Sequence, residues 1–152
     1  MCIRDRASGA SIGDIDGDGF DDLFVASLYQ ADQLYLNQGD GTFTDEAVTR
    51  GIDHAGSSNA SVFADFDGDG SLDLYVSSMG LETNRLYIND GTGQFTEEAA
   101  MRGVDMPLAN GSACSFNWGV SAADIDGDGD LDLLVTQWTC LLYTSPSPRD
   151  RG

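Results

Sequence analysis

Three stretches of this chain repeat one spacing of carboxylates, D-x-D-x-D-G-x-x-D. They are Asp14, Asp16, Asp18, Gly19 and Asp22; Asp65, Asp67, Asp69, Gly70 and Asp73; and Asp124, Asp126, Asp128, Gly129 and Asp132. Short acidic side chains at alternate positions converge on one point only if the backbone curls around it, and a glycine at the sixth position permits the sharp turn. The chemistry this allows is the capture of a hard cation by oxygen. Ca²⁺ takes six to eight oxygens at about 2.3–2.6 Å, whereas Mg²⁺ demands a stricter octahedron and keeps more water, so loops this rich in protein oxygen favour Ca²⁺. Positions 1, 3, 5 and 9 would give carboxylates and position 7 (Phe20, Ser71 and Asp130) a backbone carbonyl, for about three Ca²⁺ sites in all. Asp-Gly is also an ordinary turn dipeptide, but three nine-residue loops of identical spacing argue for metal over solvated turns.

An EF-hand shares the first half of this pattern but needs a bidentate Glu at position 12. Here that position holds Val25, Val76 and Val135, each inside an apolar run. The loops at 14–22, 65–73 and 124–132 therefore read as calcium-binding β-hairpins. Leu23 to Val25, Leu74 to Val76 and Leu133 to Val135 are the strands that leave them; Ile12, Val62 with Phe63, and Val120 mark the strands that enter. Leu34 to Leu36 pairs with Thr42 to Thr44, and Leu86 to Ile88 with Gln94 to Thr96, as further hairpins across Gly-rich turns. Residues 46–50 and 98–102 suit one helical turn each, ended by Gly51 and Gly103.

The first Asp of each loop recurs at intervals of 51 and 59 residues, and the irregularity sits in an insertion at 105–112. Four short strands in a period of about 50 residues is the arithmetic of a propeller blade. The predicted fold is all-β: antiparallel four-stranded β-propeller blades, about two and a half of them. Closed rings need about four to eight.

The 152 residues carry 26 Asp+Glu against 7 Lys+Arg, all arginine, for a net charge of −19. That balance excludes nucleic acid and anionic membrane surfaces as default partners. No apolar run approaches the roughly 18 residues that span a bilayer. The three cysteines, Cys2, Cys114 and Cys140, match neither a metal spacing nor a disulfide framework. Both ends look foreign: residues 1–6 resemble a translated transposase adapter from sequencing libraries, and 140–150 the opposite adapter read in frame. The expected organisation is thus adapter-derived, non-native residues 1–6 and 140–152 around a repeat fragment 7–139, with the gene continuing beyond both ends. Within 7–139 three arginines face 24 acids, a net of −21, and 14 of those acids lie in the three loops.

The acidic loops between short strands resemble FG-GAP/VCBS repeats, the blades of the integrin α-subunit propeller. The fuller pattern, from Asn84 to Glu97 and from Trp118 to Val135, is similar to secreted proteins of the cartilage acidic protein/UnbV type. The resemblance spans 8–138, and no Gly-Ala-Pro tripeptide is present. It implies an extracellular, periplasmic or cell-surface setting and a binding or adhesion module for a protein or glycan ligand, not an enzyme. The alternative is a non-catalytic or substrate-binding part of a larger secreted hydrolase or polysaccharide lyase. His54, the single histidine, reads as a solvated loop residue, and Cys114 as a small packing residue. Tyr35, Tyr87, Phe43 and Phe95 read as blade core, as do Trp118 and Trp138. The insertion 105–112 is the foremost candidate contact for a ligand.

Overall fold

The computed structural model describes residues 7–106, 115–137 and 143–145. The described residues form eleven strands and one helical turn: β1 (Ala7–Gly13), β2 (Asp22–Ala31), β3 (Gln33–Asn37), β4 (Phe43–Asp45), β5 (Ala55–Ala64), β6 (Asp73–Gly80), β7 (Arg85–Asn89), β8 (Phe95–Glu97), α1 (Ala99–Arg102), β9 (Ser115–Ala123), β10 (Asp132–Gln137) and β11 (Tyr143–Ser145). β1 to β4 form an antiparallel meander in chain order, and β5 to β8 repeat it in the same register. Val25 faces Ala10 and Gln33 in the first unit, while Val76 faces Ser61 and Arg85 in the second. In the third, Val135 faces Val120 and Tyr143. β11 lies inside the adapter-like segment and takes the register position of β3 and β7.

The units are linked along their far ends. β2 outruns its own unit and pairs with the start of β5 (Leu28 with Ser57, Ala31 with Ala55). β6 does the same with β9 (Met79 with Phe116). A bulge at Leu28/Gln30 gives Tyr29 a φ of 64°, where the equivalent residue of the second unit is Gly80 at 83°. The sheet stays open.

The core lies between units, because strand side chains alternate and the middle unit is covered on both faces. Leu74, Val76, Tyr87 and Phe95 of the second unit pack on Ile15, Phe24, Leu34 and Ile52 of the first. Tyr75, Leu86 and Val104 look the other way, toward Leu133 and Val135 of the third. Phe66 and Tyr75 meet edge-on, with centroids 6.5 Å apart. The tails after β4 and β8 behave as the sequence suggests. Each makes one hydrogen-bonded turn and ends on a left-handed glycine, Gly51 at 86° or Gly103 at 67°. That glycine drops Ile52 and Val104, both fully buried, into the core.

Three readings are corrected here. Phe43 is not core but 42% exposed, although its repeat partner Phe95 is buried. Phe95 and Tyr87 are covered by the first unit; no described residue stands before the first unit to cover Phe43, and Tyr35 is only half-buried. Trp118, also expected in the core, is 51% exposed. Trp138, Cys114 and the insertion beyond Met106 lie outside the described residues, as do Cys2 and Cys140. No helix among the described residues is long and apolar enough to cross a membrane.

Candidate metal centres

Each acidic loop bridges the first two strands of a unit. The closing pairs are Gly13 with Asp22, Ala64 with Asp73 and Ala123 with Asp132, so position 9 is also the first residue of the outgoing strand. The position-1 Asp organises the curl. Asp14 accepts backbone N–H bonds from Gly17 (2.9 Å), Asp18 (3.2 Å) and Gly19 (2.9 Å). Asp65 takes Gly68 and Gly70 at 2.6 and 3.1 Å, and Asp124 takes Gly127 and Gly129 at 2.7 and 3.1 Å. The sixth-position glycines sit at φ 89°, 94° and 93°, a region that a side chain makes costly, which is why glycine stands there three times.

Position 9 fastens the loop to the strands. Asp22 accepts N–H bonds from Ile15 (3.1 Å) and Asn37 (2.9 Å). Asp73 accepts the equivalent pair from Phe66 (2.8 Å) and Asn89 (2.9 Å), and Asp132 accepts from Ile125 (3.0 Å). Burial pushes the Asp73 carboxyl up to about 6, against the pull of those two donors, and Asp67 and Asp69 add to the rise. Burial raises Asp22 in the same way. A nearby cation reverses both effects by favouring the ionised forms.

The loops bring their acids together without making identical sets. Carboxylate oxygens of Asp14, Asp16 and Asp18 lie within 4.8 Å of one another; in the other two loops the close sets are Asp65, Asp67 and Asp73, and Asp124, Asp126 and Asp132. Asp18, Asp69 and Asp128 accept the N–H of the position-7 residues Phe20, Ser71 and Asp130 at 2.8, 2.7 and 2.9 Å. Each bond leaves lone pairs free on the same carboxylate. One oxygen, Asp16 Oδ1, is buried with no hydrogen-bond partner. A buried carboxylate oxygen without a donor is costly, and a cation among three convergent acids removes that cost. The residues present therefore fit a hard divalent ion.

The FG-GAP-like repeat family matches this chain twice, over residues 14–76 and 65–135. Each match runs from the first Asp of one loop to the strand valine beyond the next. The chain belongs to the FG-GAP-like repeat family. It is similar to cartilage acidic protein 1 of Mus musculus, at 31% identity over 140 residues, 91% of this chain and 20% of the relative. The Homo sapiens protein of that name is 30% identical and the Xenopus tropicalis one 29%, with the same coverage. The chain thus spans about a fifth of the length of these curated relatives.

Seen as FG-GAP-like repeats, the units show supporting residues that the spacing of acids does not reveal. Asn89, fully buried, donates through Nδ2 to the carbonyls of Ile15 (2.8 Å) and Leu72 (3.1 Å), and its Oδ1 accepts from Gly91 and Gly93. Asn37 holds the same repeat position, with Nδ2 on the Asp21 carbonyl at 3.2 Å. Arg50 and Arg102 lie beside the third-position acids, at 3.4 Å from Asp16 and 3.8 Å from Asp67. Both pairs of residues recur at matching repeat positions, and that recurrence is the signal in the sequence. His54 is not a solvated loop residue: Nε2 lies 2.8 Å from Glu82 and 3.2 Å from Arg85, with its side chain 14% exposed.

Proposed function

We propose that this chain is a calcium-binding module of an extracellular FG-GAP-like repeat protein, stabilised by one Ca²⁺ in each acidic loop and used to bind a protein or glycan ligand. The observation that carries the calcium reading is the threefold convergence of aspartates in hairpin loops, together with the unpartnered Asp16 Oδ1. Asp14, Asp16, Asp18 and Asp22 would hold the first ion, Asp65, Asp67, Asp69 and Asp73 the second, and Asp124, Asp126, Asp128 and Asp132 the third, with carbonyls of Phe20, Ser71 and Asp130 contributing. The ion supplies charge neutralisation and a fixed loop shape. Asp14, Asp65 and Asp124 set that shape through the backbone amides they accept. Millimolar calcium is available outside the cell, and the family is one whose members are commonly extracellular.

Loops that carry metal are clamped and leave the opposite ends of the units free to vary. The insertion 105–112, which follows α1 in the sequence and precedes β9, is the proposed ligand contact. Screening the chain on arrays of glycans and extracellular proteins with 2 mM CaCl₂ and with EDTA tests the reading. At least one ligand should be bound in calcium and lost in EDTA; binding unchanged by EDTA, or no ligand in either condition, counts against it.

A further inference from the structure

The guanidinium of Arg50 joins three pieces of chain. Nε donates to Glu46 Oε2 (3.0 Å) within the tail, Nη2 to Asp16 Oδ2 (3.4 Å) in the first acidic loop, and Nη1 to the carbonyl of Thr92 (2.6 Å). Thr92 lies in the β7–β8 turn of the second unit, so this side chain crosses a unit boundary. The backbone supports the crossing: the Arg50 carbonyl accepts the N–H of Phe95 at 2.9 Å. The turn also comes so close that a Cβ on Gly93 would meet Arg50 Nη1 and the Asp16 side chain. Asn89, at the base of the turn, donates to the Ile15 carbonyl of the same loop at 2.8 Å.

We propose that Arg50 is a positioning residue that couples ion binding in the first acidic loop to the docking of the second repeat unit. The proposal rests on the calcium reading above. A carboxylate is a rigid plate, so a donor fixed on Asp16 Oδ2 sets the direction of Oδ1, the buried oxygen that has no partner. The same donor group holds the Thr92 carbonyl. Ordering Asp16 around an ion therefore orders the β7–β8 turn, and by linkage a docked turn favours the ion. A guanidinium suits the task because its donors diverge in a fixed plane toward three acceptors; a lysine ammonium on a flexible stem cannot hold that geometry. Simple charge repulsion between Arg50 and the ion predicts no such coupling, only weaker binding in the presence of the arginine.

Hydrogen exchange read by mass spectrometry on the full chain, in EDTA and in CaCl₂, tests this on wild type, Arg50→Met and Arg50→Lys. In wild type, calcium should slow exchange at least about tenfold at the amides of 17–19 and also at those of 91–95, a coupling within the usual range for linked sites. In Arg50→Met the loop should still respond while 91–95 changes less than about twofold, and Arg50→Lys should behave like Arg50→Met. The coupling is overturned if Arg50→Met keeps the wild-type response at 91–95. It is overturned by wild type alone if the loop responds and 91–95 does not, so the result does not depend on either variant folding. If no acidic loop responds to calcium, the calcium reading itself fails and takes the coupling with it.

Discussion

Asp32 is a buried carboxyl outside the three acidic loops. It is 3% exposed, and burial pushes its carboxyl upward, offset in part by the Ser58 hydroxyl (2.6 Å) and the Ser27 N–H (2.9 Å). A carboxyl raised in the folded state holds its proton longer than in the unfolded chain, so its cost is absent below pH ~4 and appears as pH climbs through the raised value. The second unit has Asn84 at this position, accepting the equivalent bond from Ser78 N–H at 2.9 Å. Asp32→Asn should therefore raise Tm at pH 7 by about 2–4 °C, the shift given by about 1 kcal/mol in a chain of this size. The gain should vanish toward pH 4, and a calorimetric series over that range checks both the size and the sign. The aspartates of the metal loops were legible in the sequence because their work is local, nine residues at fixed spacing. The partners of Arg50 and Asn89 were not, since they lie 42 and 74 residues away, and neither the recurrence of the two residues nor the spacing of acids says where the second unit's turn lands. His54 was misread for the same reason, its partner Glu82 being 28 residues off.

Among the elements, the acidic hairpin has a second task at its second position. Ile15 and Phe66 are 2% and 1% exposed because each plugs into the unit that follows, whereas Ile125 at the same position of the third loop is 61% exposed. The same residue at the same loop position should thus differ in worth between the first and third loops. Ile15→Ala should cost about 2–5 kcal/mol, the range for a buried large-to-small change. Ile125→Ala should stay within about 0.5 kcal/mol, as at an exposed site. Urea unfolding of both variants in calcium checks the contrast, and equal costs would mean that the loops do not dock between units. Strand order and hairpins were readable here because apolar alternation and Gly-rich turns are short-range signals. Which face each aromatic covers was not: Phe43 and Phe95 stand in the same motif, yet only Phe95 has a unit packed on it.

Across the whole molecule, the acidity is concentrated in three hairpins, which hold 14 of the 24 acids of residues 7–139. A chain of net −19 with so many carboxylates held in loops repels itself unless countercharge is supplied. Neither the loop backbone nor the three described arginines, two of them committed to Asp16 and Asp67, supply enough. Calcium in the loops would act as a set of fasteners along an open sheet, each contributing about 2.7 kcal/mol at a hundred times its Kd. The most direct test is native mass spectrometry of the chain in calcium, paired with melting in calcium and in EDTA. Three bound Ca²⁺ per chain, and a Tm higher in calcium by at least about 5 °C, are the predicted result; no bound calcium and superimposable melts would contradict it.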